Sequence, residues 1–363
     1  MILRYDSTKI VSTRLEPLDD IISWFTGLRS KGFVGDLLKE IHGFNDRDKI
    51  NRASKAISSH AENAVNLLGQ GFSGSTDVSF LPIYYALLNI AKIHIILKDN
   101  QSELELQRLH GVSYNSRSSR DLMTEEITLH KKGAIPLYFQ SITNQNLVGN
   151  KKTIPVKMNE IYPFIRSISH EFLEIYNPAQ LYYPISINLE GNDKDGYRLK
   201  ADITDKTHLQ NFNKRYIKVL TGFNLVPKVH NTKKGRVINM TGVNSYITRL
   251  VKDSRENAER QLVKKYLRRY LLSTVVQGNA ASTITPISNN RLIWPEELPI
   301  LLAFHHMSNV VRYNPEMLEQ LKDSKAWTLL LTLTRHGTLS FLELSSSAIQ
   351  QKNIRILPSL NGA

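Results

Sequence analysis

His110, Arg120 and Arg312 are the side chains here best suited to proton transfer and to charge stabilisation at phosphorus. His110 stands in "LHGVSYNSRSSRDLMTEEITLHKKGAIPLYF", residues 109–139. An imidazole titrates near neutrality, so it can serve as a general acid or base, or it can cap a helix end. Arg117 and Arg120, with Arg108 just before the segment, can bind phosphate through charge-assisted hydrogen bonds. Arg312 ends an apolar run at "VVRYNP"; a cation there either closes a helix through its dipole or projects into a site. His110 as acid or base, with Arg312 or Arg120 stabilising a phosphorane, would make a metal-independent ribonuclease. The "KKGA" turn has one glycine, too few for a phosphate cradle.

A second constellation carries charge without chemistry. Arg260, Lys264 and Arg268 fall at i, i+4 and i+8 of an expected helix from Lys252 to Leu271, with Lys265 and Arg269 beside them. Val263, Tyr266, Leu267 and Tyr270 form its apolar stripe. Like charges at this spacing cost a few tenths of a kcal/mol per pair. An anionic partner would relieve that repulsion, and binding would be steeply salt-dependent. Glu256 and Glu259 partly neutralise the start of the row, so a solvated helix face is the plain alternative. Lys233, Lys234 and Arg236, near Lys228 and His230, add basic groups around a hairpin turn.

The standard catalytic signatures are missing: no Walker A loop, no GxGxxG, no HExxH and no GxSxG. "GFSGS" (71–75) has the wrong spacing for a nucleophile elbow and reads as a helix–helix loop. His94 lies on an apolar helix and reads as a core residue. His305 and His306 are consecutive, so at ~100° per residue only one is expected to face a core. Neither has a metal-ligand partner at i+4, and no metal or cofactor is expected.

The absence of cysteine removes disulfides, thiolate nucleophiles and cysteine-based zinc sites. It fits a reducing cytoplasm, as does an N-terminus, "MILRYDSTKIV", without a signal-peptide pattern. The 47 Lys+Arg against 33 Asp+Glu give a net charge of +14 and a pI near 9.7. Such a surface favours nucleic acid or an acidic protein partner. The longest apolar stretch, Phe80 to Leu97, is interrupted by Pro82, Asn89, Lys92 and His94 and reads as a buried helix rather than a membrane span.

These side chains need elements to position them, and the hydrophobic period supplies most of those elements. Leu15, Leu18, Ile21, Ile22 and Phe25 recur at helix-face spacing, as do Ile50, Ala53, Ile57, Ala61, Val65 and Leu68. "DLLKEIH" is a short helix stopped by Gly43. "EEITLHK" alternates like a strand before its glycine turn, and "KMNEIYPFIRSISHEFLEIY" returns to helical spacing. "YYPISINLE" and "YRLKADIT" flank the turn "GNDKDG", and a second hairpin turns at "NTKKG". Helices are expected again from "YITRLVKD" onward, with "QGNAASTITPISNN" as a loop. The expected fold is mainly α, a helical body with a small β-rich insertion. Its expected divisions are an N-terminal helical domain (1–180), a hairpin-rich insertion (181–245) and a C-terminal helical region (246–363) packed on the first.

Three segments, "PIYYALLNIAKIHIIL", the 109–139 stretch and "LPILLAFHHMSNVVRYNPEML", occur in the order and spacing that resembles the YaaC-like family of bacterial proteins. The resemblance covers Ala53 to Phe139 and Pro295 to Leu321, and it carries no catalytic residues with it. The helical body is also similar to HEPN-type domains, many of which are ribonucleases with an Arg and a His four to six residues apart. Arg108 and His110 are too close for that pattern, and Arg166 and His170 have three residues between them. A HEPN-like pair would therefore have to come from different elements. The expectation is a YaaC-like cytoplasmic protein that binds nucleic acid or a protein partner in a complex. Anti-phage defence is expected from the company such helical proteins keep, not from any residue.

Overall fold

A computed structural model describes residues 8–13, 16–98, 109–115, 121–144, 146–176, 182–203, 224–225, 229–232, 235–238, 244–262, 275–277, 280–286 and 294–358. The chain divides into two compact units. One takes in Ser7–Asn177 with Trp294–Ala363, and the other Pro178–Ile293 with Met1–Asp6. The fold is mainly α with a β-rich insertion.

The helical unit is built around two helices that are apolar almost all round. α1 (Pro17–Gly27), α2 (Lys31–Glu40) and α3 (Arg47–Ser73) lead into α4 (Thr76–Lys98). Asp46 caps α3 by accepting from the backbone N–H groups of Asp48 and Lys49 at 2.9 and 3.0 Å. That satisfies donors a helix start otherwise leaves open. The turn between α3 and α4 is only Gly74 and Ser75, shorter than the loop expected at 71–75. Pro82 lies inside α4.

Helix α4 has the length and hydropathy of a membrane span. Most of its side chains from Phe80 to Leu97 are nevertheless buried against α3 and several later helices, with a half-buried stripe at Leu81, Pro82, Tyr85, Asn89 and Lys92. A three-stranded antiparallel sheet follows: β2 (Val112–Asn115), β3 (Glu126–His130) and β4 (Thr153–Lys157), in that order. α5 (Ala134–Thr143) follows β3 in the chain. The expected long helix before Tyr176 is instead a series of 3-10 turns with a short α6 (Ser169–Tyr176). Pro163 sits at the start of one of those turns, where its missing N–H costs nothing.

The chain returns at Trp294 with α8 (Glu297–Tyr313), α9 (Pro315–Lys322), α10 (Ala326–Thr332), a π turn at Leu333–Gly337 and α11 (Thr338–Gln350). α4 packs on α8, α5 and α11. Every residue of α8 from Glu297 to Val310 is buried. The strands β1 (Thr8–Thr13) and β13 (Asn353–Pro358) pair in parallel.

The second unit holds a six-stranded sheet with the order β11-β12-β5-β6-β10-β7 among the described residues. β5 (Tyr182–Asn192) and β6 (Gly196–Ile203) form the first expected hairpin. β8 (Val229–Thr232) and β9 (Gly235–Ile238) form the second as a separate pair. β7 (Asn224–Leu225) and β10 (Asn244–Ile247) complete one side. The other side is β12 (Ala280–Pro286), paired with β5, and β11 (Val275–Gln277). The stretch read as a loop at "QGNAASTITPISNN" thus contains a strand. Residues 246–293, which the sequence grouped with the C-terminal helices, fall in the sheet unit. Two β-branched threonines and an isoleucine in "STIT" carry the strand tendency that the flanking Gly and Asn residues obscure.

Candidate functional site

The expected "KKGA" turn and the His-Gly pair are two halves of one backbone clasp. His130 donates its N–H to the carbonyl of Gly111 at 2.9 Å. At the start of α5, Ala134 and Ile135 donate to the carbonyls of Leu109 and His110 at 2.9 and 3.0 Å. The first N–H groups of the helix are therefore filled by protein oxygens, which leaves no anion cradle there. The approach is close enough to require glycine on both sides. Gly111 has φ +82° and Gly133 φ +128°, and a Cβ on Gly133 would come within 2.4 Å of the Gly111 nitrogen. The glycines of this segment fix a backbone position, and that position sets His110.

From the clasp, His110 reaches α4. Its Nδ1 lies 2.9 Å from the hydroxyl of Tyr84, and the rings of Tyr84 and Tyr85 flank it at 5.6 and 5.7 Å. Burial is the main cause that holds His110 below its ordinary pKa, aided by the charges of Lys92 and Arg312. It is therefore neutral near pH 7. The Tyr84 hydroxyl is buried with no other partner among the described residues. Its bond to Nδ1 runs in the direction that the His110 tautomer sets. Burial raises the Tyr84 phenol well above its usual range, so this hydroxyl stays protonated.

A polar track continues from Tyr84 onto α8. The ring of His305 meets Tyr84 edge-on at 5.2 Å. Asn309 donates to the His305 carbonyl at 2.7 Å, and its amide nitrogen lies 3.3 Å from His305 Nε2. Asn309 Oδ1 in turn accepts from Arg312 Nη2 at 3.0 Å, while Arg312 Nε donates to the Ser308 carbonyl at 3.2 Å. Arg312 thus answers the Ser308 carbonyl in the last turn of α8, the first of the two roles considered for it, and the residue is exposed.

His305 and His306 are both buried, at 4% and 0% exposure, although one was expected to face outward. Helical period selects a face only when a helix has a solvent side, and this part of α8 has none. Burial, with the charges of His110, His306 and Arg312, depresses His305 to about 3. His306 lies 3.8 Å from Glu125 Oε2, too far for a hydrogen bond, and burial keeps it below its ordinary value against the pull of Glu125. Glu125 is held instead by the Tyr114 hydroxyl at 2.8 Å.

The arrangement has a definite charge. Lys92 is half-buried and its pKa is lowered by burial. Neither Lys92 nor Arg312 has a carboxylate partner among the described residues. His110 feels the charges of both. Cations gathered without a counter-charge favour an anion, and arginine's remaining donors match the fork of a phosphate.

The structure therefore brings together His110 and Arg312 of the sequence candidates. Tyr84, Lys92, His305 and Asn309 were missed, because their residue types read as ordinary content of core helices. Arg120 lies outside the described residues, as do Lys264, Lys265, Arg268 and Arg269. Arg260 is in α7 (Arg255–Leu262), which starts later than the expected Lys252. Lys228, Lys233 and Lys234 also lie outside the described residues, while His230 and Arg236 are in β8 and β9. His94 is buried against the Tyr138 ring, as expected. No cluster of three metal-ligating side chains occurs among the described residues.

Fold and site define a mainly α protein with a β-rich insertion and a cation-lined edge at the junction of α4 and α8. The family model of YaaC-like proteins matches residues 26–349, and the chain belongs to that family. The match runs through the β-rich section as well as the segments that carry the resemblance. No curated protein and no solved structure was found to match.

Proposed function

We propose that the protein binds nucleic acid, engaging the phosphate backbone at the edge formed by Lys92, His110 and Arg312. The observation that carries this reading is the gathering of these groups without a carboxylate among the described residues. The net charge of +14 supports it, because long-range attraction to a polyanion would bring the ligand to the site. The row Arg260, Lys264, Lys265, Arg268 and Arg269 is proposed separately as a phosphate-backbone contact. An acidic protein partner, in a complex serving anti-phage defence, would answer the same net charge. A phosphodiester suits the local geometry better, since Arg312 is pinned with part of its fork unused.

The test is fluorescence anisotropy with labelled oligonucleotides over a salt series, comparing the protein with Arg312→Glu. The variant is expected to weaken binding and to lower the slope against log salt by about one or more. Equal affinity and slope in the two proteins would refute the assignment.

A metal-independent ribonuclease is the second reading, favoured by the Tyr84–His110 bond. On this reading the His110 imidazolium would pass a proton to the leaving oxygen and return to the neutral ring, while Arg312 balances charge on phosphorus. RNA cleavage lost in His110→Ala, with binding retained, would establish it.

A further inference from the structure

We propose that the nucleic acid taken at this edge is single-stranded, with one unstacked base lying on the ring of Tyr313. This inference rests on the phosphate-binding reading and adds the class of ligand.

The argument starts from what surrounds the cations. Among the described residues, the two most exposed large hydrophobic side chains are Tyr313, at 63%, and Leu109, at 57%. Tyr313 follows Arg312 in the chain and Leu109 precedes His110. The guanidinium carbon of Arg312 sits 4.9 Å from the centre of the Tyr313 ring. The same guanidinium is tied through Asn309 and His305 to Tyr84 and His110. Tyr313 therefore sits on the guanidinium of Arg312, which buried side chains connect to His110.

Tyr313 stands at the end of a helix whose residues from Glu297 to Val310 are all buried, yet its ring is left mostly in water. Its hydroxyl makes no hydrogen bond to a described residue. A cation seated beside an exposed ring is the pairing that reads a flat, electron-rich base next to its phosphate.

Duplex nucleic acid does not offer this contact. Its bases are stacked on each other, and only phosphates, sugars and groove edges are exposed. A single strand offers both a phosphate for Lys92, His110 and Arg312 and a free base face for Tyr313. Tyr85, half-buried with its ring against His110, lines the same edge.

The experiment measures affinity of the full chain for a labelled single strand, its duplex, and an abasic strand of equal length. Tyr313→Ala and Tyr313→Phe are compared with the unaltered protein. The base-bearing strand is expected to bind tighter than the other two. Tyr313→Ala is expected to weaken it about ten-fold and erase its advantage over the abasic strand, while Tyr313→Phe keeps that advantage. Equal binding of all three ligands by the unaltered protein would overturn the base contact and leave the phosphate reading standing. Loss of the advantage in Tyr313→Phe as well would overturn stacking as its cause. Binding of none of the three would overturn both readings.

Discussion

Lowering the pH from about 7 to about 5 is expected to destabilise the helical unit, with His305 as an identifiable source. Burial holds His305 at about 3 in the folded protein, against 6.5 for an ordinary histidine. The folded value is the lower one, so the unfolded chain takes up a proton first as pH falls. Above about 6.5 both states are neutral and the group contributes nothing. Below it, stability is lost by about 1.4 kcal/mol per pH unit until the folded value is reached. At pH ~5 the cost from His305 alone is about 2 kcal/mol, set against the 5–15 kcal/mol typical of a domain. His306, His110 and His42 are lowered by burial in the same direction and add to it.

The assay is urea denaturation followed by tryptophan fluorescence. The sequence has three tryptophans, and Trp24, Trp294 and Trp327 all lie in the helical unit, so the signal reports that unit. His305→Gln removes the titration while placing an acceptor near the Nε2 position that Asn309 uses. Its stability should fall less steeply with acid. A midpoint that does not move between pH ~7 and ~5 would refute the reasoning, and an equally steep loss in His305→Gln would refute its assignment to His305.

Gly133→Ala is expected to destabilise by several kcal/mol, because its Cβ would meet the Gly111 backbone at 2.4 Å in a positive-φ conformation. Gly27→Ala, in α1 with nothing within 4 Å of its Cβ, should instead stabilise by up to about 1 kcal/mol; thermal melts separate the two. Tyr84→Phe removes a hydroxyl bonded to His110 and should cost about 1 kcal/mol. Tyr162→Phe removes a fully buried hydroxyl that makes no hydrogen bond to a described residue and should be neutral or stabilising, as urea midpoints would show.

Periodicity was a sound guide wherever an element has one wet and one dry side. The stripe Ile50, Ala53, Ile57, Ala61 and Leu68 is buried in α3 as spaced, and the alternation in "EEITLHK" became β3, with Ile127 and Leu129 inward. It misled where that asymmetry is missing. In α8 both consecutive histidines are buried, because neighbours cover every face. At "IYPFIRSI" the apolar spacing persists, but Pro163 and the packing of neighbouring turns hold 3-10 geometry.

By itself, the sequence determined the mainly α class, the two hairpins and the excess of basic groups. These follow from local period, turn chemistry and composition, which need no long-range contact. Only the tertiary structure decided that Gly111 and Gly133 clasp one another, and that His110 shares an edge with Arg312 through Tyr84, His305 and Asn309. Those residues come from segments far apart in the chain. Their meeting depends on how α4 packs against α8, and side chains that meet across two helices leave no spacing in the sequence to be read.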